Sequence, residues 1–248
     1  MDNTFRNIWI IAKREFAGYF ATPLAGVFLT IFIALTGAFA FYIGDFFARG
    51  QADLFPFFAH HPWLYLILVP AVAMRLWAEE RKNGTIELLM TLPVTPAEAI
   101  LGKFLAAWAF IGLALALTFP MWITVNVLGD PDNGIILTSY LGSFLMAGAF
   151  LAIGSFISAL TKNQVIAFIL SATVCFLFVM SGLEMVQNAL RSWAPEFVAS
   201  AVSAMSFLSH FELISRGVVS LQSIIFFLSL IAFALFANII AIDQKKAA

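Results

Sequence analysis

From Phe16 to Gly44 the chain carries no charged residue. That run exceeds the about 20 apolar residues that cross a bilayer as one helix, and it limits what the rest of the chain can be. Charge is scarce throughout: 13 Lys and Arg and 14 Asp and Glu make up 11% of 248 residues, and 62% are hydrophobic, where a soluble domain carries about 25% charge. At a mean hydropathy of +0.97 there is too little polar surface to cover a monomer in water. A soluble enzyme, a nucleic-acid-binding domain and a disordered chain are excluded; an all-α integral membrane protein remains. The net charge of -1 gives no purchase on a polyanion. A single cysteine, Cys175, excludes a disulfide framework and a cysteine-based metal site. No shift in composition divides residues 1–248, so one transmembrane domain is expected.

Six spans fit: 23–43, 62–77, 97–128, 135–160, 165–183 and 221–242. Each must be helical, because lipid satisfies no free backbone group, and the segments are continuously apolar, unlike the alternating strands of a barrel. Thr22-Pro23 reads as a helix start, and Thr95-Pro96-Ala97-Glu98 as a capping box. Asp130 to Gly134 reads as a tight turn, as does Lys162-Asn163. Arg6, Lys13, Arg14, Arg75, Arg81, Lys82, Lys103, Lys162, Lys245 and Lys246 fall on one side of these spans; Arg49, Arg191 and Arg216 fall on the other. That bias places both termini in the cytoplasm. Ala38-Phe39-Ala40 mimics a signal-peptide cleavage site, but the uncharged run is far longer than a signal core of about 7–15 residues, so it is expected to be a retained span.

Three segments are not spans. Residues 3–20 form an amphipathic helix, with Phe5, Ile8, Trp9, Ala12, Phe16, Tyr19 and Phe20 on one arc and Lys13 and Arg14 mostly opposite; Ile10 and Ile11 break the pattern. Such a helix lies in the membrane interface as an anchor, or docks a cytoplasmic partner. After the charge cluster Glu79-Glu80-Arg81-Lys82, Asn83-Gly84 stops the helix. A short helix from Thr85 towards Pro93 then carries Ile86, Leu88, Leu89, Met90 and Leu92. Each costs about 1.5–3 kcal/mol if left in water, so they lie on the bilayer surface or in a partner's groove. Residues 184–220 are too long for a turn and apolar in the middle, which suggests a segment dipping back into the membrane, with Glu212 and Arg216 one turn apart and able to pair.

Chemistry is sparse. Val179-Met180-Ser181-Gly182 lacks the first glycine of a rhomboid-like serine site, and Glu79-Glu80 is followed by Gly84 where a glutamate-dependent intramembrane protease needs arginine. There is no H-E-x-x-H, and His60, His61 and His210 lack ligand spacing. No phosphate-binding loop exists, so the chain is not expected to be an ATPase. Ion and proton pathways need ionisable groups inside spans; Arg75 stands out, and it either snorkels or pairs with Glu79. Small residues recur every four positions at Thr30, Ala34 and Ala38 and again at Ala167, Ser171 and Cys175, as at close helix contacts within or between subunits.

The run from Met74 to Pro93, with Glu79, Glu80, Gly84, Thr85, Glu87, Leu88, Leu89, Met90 and Pro93, resembles the signature of ABC-2-type transporter permeases. Lys13-Arg14-Glu15-Phe16 with Tyr19-Phe20 and Pro23 is similar to that family's N-terminal helix. His210-Phe211-Glu212 with Arg216-Gly217 is similar to its gliding-motility-type branch. The resemblance implies six spans, an N-terminal interfacial helix and short outer helices between spans five and six. It also implies pairing with a second permease copy or a related permease-like chain, and a separate pair of ATP-binding subunits that hold the ATP and Mg²⁺, leaving this chain without a cofactor. The 83–93 helix and the N-terminal helix, with Trp9, Lys13, Arg14 and Glu15, would contact those subunits. His210, Glu212 and Arg216 would belong to the outer cap of the pathway. The expected role is a permease subunit of an exporter; the alternative is a membrane anchor through which an ATPase acts mechanically on an envelope complex.

Overall fold

A computed structural model describes residues 2–86 and 93–244. Among them every regular element is helical. In chain order these are α1 (Asp2–Phe20), α2 (Leu24–Ala38) closing in a π-helical turn (Phe39–Ile43), α3 (Phe55–Phe58), α4 (His61–Ala73), α5 (Arg75–Asn83), α6 (Pro96–Ala116), α7 (Phe119–Leu128), α8 (Asn133–Leu160), α9 (Gln164–Met180), α10 (Glu184–Trp193), α11 (Glu196–Ala204), α12 (Phe207–Ser215) and α13 (Leu221–Gln244). Five stretches are long and apolar enough to cross a bilayer: Ala25–Ile43, Phe55–Asn83, Pro96–Leu128, Asn133–Leu160 and Leu221–Gln244. α9, of 17 residues, bends by 75° into α10, and α11 bends by 58° into α12, so the count is five to seven.

Most predicted starts are built by the residues expected. Glu98 N–H donates to Thr95 Oγ1 at 3.2 Å while Thr95 N–H donates to Glu98 Oε2 at 2.9 Å, a complete capping box. Asp132 caps α8 and Asn163 caps α9, each accepting from two backbone N–H groups. Thr22 differs: its hydroxyl donates back to Tyr19 O at 3.4 Å, finishing α1, and Pro23 precedes α2 with no side-chain cap.

α8 is the axis, packed against α4, α5, α6, α9, α12 and α13. Its glycines admit the neighbours: a Cβ on Gly148 would fall 2.8 Å from the Trp108 ring, and one on Gly154 2.5 Å from Ala73. In lipid, helices associate through such close packing. The apolar stretch of α8 is 78% buried, against 17% for that of α2. Ala167, Ser171 and Cys175 on α9 are completely buried inside the subunit, so they serve packing within this chain and not an interface between copies. Thr30 and Ala34 on α2 are exposed.

Two spans are broken. Pro120, which has no N–H to give, sets the break between α6 and α7; there Thr118 Oγ1 donates to Leu115 O at 2.6 Å. The break at Met74, between α4 and α5, is filled by Ser158 of α8. The N–H groups of Trp77 and Ala78 donate to Ser158 Oγ at 3.1 and 3.0 Å, and that hydroxyl donates to Met74 O at 2.9 Å. A side chain inserted into the helical ladder is a recognised cause of a kink. Ser158→Ala strands two buried N–H groups and is expected to cost at least about 2 kcal/mol, since each unsatisfied group costs about 1–3. A melting point in detergent equal to that of the native chain would contradict this.

α1, the expected amphipathic helix, is packed against the bundle. It runs alongside α6 in the same direction, and Asn7 with Glu98, Ile11 with Gly102 and Tyr19 with Phe110 meet at a constant offset of 91 positions. Ile11, which breaks the amphipathic pattern, is a contact residue: a Cβ on Gly102 would lie 2.7 Å from it. Phe5, Trp9 and Ile10 remain exposed. The 33 residues from Pro96 to Leu128 reach about 50 Å at the helical rise. That exceeds a hydrocarbon core of about 30 Å, so part of this length lies outside it.

At the opposite end, residues 184–220 form α10, α11 and α12, with Ala199, Phe207, Phe211 and Ile214 buried and Arg216 paired with Glu212 one turn away.

Candidate functional site

Lys103, two turns into α6, is only 3% exposed. Its ammonium lies 3.2 Å from Glu15 Oε2 of α1 and 2.7 Å from Glu80 Oε1 of α5, and 5.4 Å from the centre of the Trp77 ring. Arg14 joins from the surface, 2.8 Å from the other Glu15 oxygen. Two cations and two carboxylates thus close a neutral chain, the condition under which a lysine tolerates burial. Gly102 matters here because it lets α1 approach closely enough for Glu15 to reach inward.

Burial pushes the Glu15 carboxyl up, but Lys103 and Arg14 outweigh it and hold the group below its ordinary value of 4.5. A carboxyl depressed by folding adds stability that is present above the unfolded pKa and is lost as pH falls through the folded one. Melting points in detergent should therefore fall with acidification below about pH 4.5, and Glu15→Gln should flatten part of that fall. An identical acid profile in the two proteins would contradict the assignment.

A polar seam continues into the bundle. Trp77 Nε1 donates to Ser155 Oγ at 3.2 Å, and Asn238 Nδ2 of α13 donates to the same oxygen at 2.9 Å. Arg81 Nη1 donates to Ala159 O at 2.6 Å, fastening the last turns of α5 to the end of α8. Glu79 pairs with Arg75 at 3.0 Å, one of the two arrangements expected for that arginine.

The loop after α5 leaves from this junction and returns to it. Gly84 ends α5 with φ 72°, a left-handed conformation that favours glycine, and donates its N–H to Glu80 O. Thr85 has helical backbone, and its hydroxyl donates back to Glu80 O at 3.4 Å. Glu87, Leu88, Leu89 and Met90 lie outside the described residues. Pro93 is exposed, and the capping box of Thr95, eight residues before Lys103, then opens α6.

Of the other predicted residues, Trp9, Lys13 and Arg14 are exposed on α1. His210 is buried, with Nδ1 bonded to Ser223 Oγ and Nε2 to Ala204 O, each at 3.0 Å. His60 is bonded through Nδ1 to Pro56 O, and His61 through Nδ1 to Ser143 Oγ. Sequence reasoning counted Lys103 among the basic-side charges and passed over Trp77, Ser155, Ser158 and Asn238. The available signal was Lys103 itself, beside a glycine and well inside an apolar helix.

Comparison with known proteins agrees with this architecture. The family described as ABC-2 family transporter protein matches residues 9–242. Two curated relatives, each named probable multidrug ABC transporter permease YbhS, come from Escherichia coli strain K12 and from Escherichia coli O157:H7. Each is 35% identical over 98 residues, which is 40% of this chain and 24% of the relative; the match spans about a quarter of those relatives' length. Helices of membrane-spanning length and apolarity, in a chain matched by the family almost from end to end, make this a multi-pass membrane protein that belongs to the ABC-2 transporter family.

Proposed function

We propose that the chain is the permease subunit of an ATP-driven exporter, with six spans and both termini in the cytoplasm. It works with a second permease, a copy or a related chain, and a pair of ATP-binding subunits that hold ATP and Mg²⁺. The ATPase contact is the 79–98 loop, with Gly84, Thr85, Glu87, Leu88, Leu89, Met90 and Pro93, joined by the exposed Trp9, Lys13 and Arg14 of α1. The single observation that carries this reading is the anchoring of that loop. Both of its ends are fixed to the bundle, through Glu80 to Lys103 and through the Thr95 cap, so force applied to it reaches the spans.

Transport is favoured over a purely mechanical anchor by the relatives' naming as probable multidrug ABC transporter permeases. The exposed small residues Thr30 and Ala34 of α2 suit contact with the second permease. His210, Glu212 and Arg216 belong to the outer cap, in keeping with the gliding-motility-type resemblance.

Purification of the native chain in mild detergent, followed by identification of its companions, tests the class: an ABC ATP-binding subunit is the expected companion. A chain that purifies without any ATPase, or a cysteine at position 87 labelled from outside intact cells, would overturn the proposal.

A further inference from the structure

We infer that Lys103 is a positioning residue that makes α1, the last turns of α5 and the start of α6 move as one body when the loop after α5 is displaced. This rests on the coupling reading above. Lys103 is the shared partner of two carboxylates from two different helices, at 2.7 and 3.2 Å, and it is buried. The three helices are otherwise joined unequally. α1 lies against α6 through Ile11 on Gly102, Tyr19 stacked on Phe110 at 4.7 Å and the Asn7–Glu98 contact at 3.4 Å. α5 is fastened mainly to α8, through Ser158, Ser155 and Arg81. Lys103 closes the remaining side of the triangle, and the Trp77 ring beside the ammonium places α5 against the same charge. A displacement of residues 80–84 therefore pulls on Glu80, through Lys103 on α6, and through Glu15 on α1. The N-terminal helix follows the loop instead of staying behind with the lipid.

The test separates this transmission from mere stability. Glu15→Gln, Glu80→Gln and Lys103→Met together remove the buried charges without leaving one unpaired, a replacement that buried ion clusters often tolerate. Spin labels go on the exposed positions 10 of α1, 82 of α5 and 169 of α9 in a Cys175→Ala background, in the full chain with its ATPase in nanodiscs. In the native sequence, ATP with vanadate is expected to shift the 10–169 and 82–169 distances together and to leave the 10–82 distance unchanged. In the triple variant the 82–169 shift should persist, the 10–169 shift should fall to less than half, and the 10–82 distribution should broaden about twofold, with the melting point retained. Position 10 following position 82 as fully in the triple variant as in the native sequence would overturn the role of Lys103, because packing alone would then suffice. A native 82–169 distance unmoved by nucleotide would overturn the coupling reading and this inference with it. Equal broadening in a control pair on α9 and α12 would show general loosening and also overturn it.

Discussion

Lys103→Met alone is expected to cost about 3 kcal/mol of stability. Removing one partner of a buried ionic cluster costs about 3–5 kcal/mol because the opposite charge stays buried and uncompensated. The lower figure applies because Arg14 remains beside Glu15 and both carboxylates keep about a fifth of their surface. Glu80 suffers more than Glu15, since its second oxygen is buried and has no hydrogen-bond partner among the described residues. Unfolding in mixed micelles measures the difference. Adding Glu15→Gln and Glu80→Gln to Lys103→Met should recover most of the loss, the non-additivity that neighbours in one network show. A loss below about 1 kcal/mol for the single variant would place this cluster with ordinary surface pairs.

Leu89→Asp is expected to release the ATPase while leaving the permease inserted. Placing a charge in a desolvated groove costs several kcal/mol unless it is paired, and about 4 kcal/mol is a thousandfold in affinity. If the 83–93 helix instead only rested on the bilayer, the same substitution would loosen membrane contact and leave assembly intact. Pull-down of the ATPase, with the exposed Asp130→Ala as control, separates the two. Full retention of the ATPase and of ATP-dependent activity would mean that the coupling surface lies elsewhere.

Five of the six expected spans were legible because lipid demands long apolar helices, whereas 165–183 is a 17-residue helix that bends by 75° into α10; the caps at Thr95, Asp132 and Asn163 were legible because their signals are local. The breaks at Met74 and Thr118 were harder to see. Pro120 announces the second in the sequence, but the first depends on Ser158, a residue 84 positions from Met74. The face of α1 was misjudged for the same reason. Amphipathicity assigns a helix its lipid side, but it cannot show that Gly102 opens a slot in which Ile11 becomes buried. Glu15, Glu80 and Lys103 lie in three separate segments, and no spacing rule joins them. The family resemblance pointed to the loop after α5, while the junction that holds its two ends to the bundle had to be seen in three dimensions.

The Ser158 contact also bears on how the chain is made. The N–H groups of Trp77 and Ala78 find their acceptor 81 and 80 residues downstream. At a synthesis rate of about 5–20 residues per second, that acceptor emerges some 4–16 seconds later. Until the fourth apolar stretch arrives, those two groups have only their own helix's carbonyls or water to turn to, because hydrocarbon gives them nothing. The Met74 break therefore takes its finished form only once Ser158 is in place, and the first half of the protein is completed by the second. Ser158→Ala should accordingly lower the yield of inserted protein by more than its effect on the finished fold, with the excess removed by quality control before any transporter is assembled.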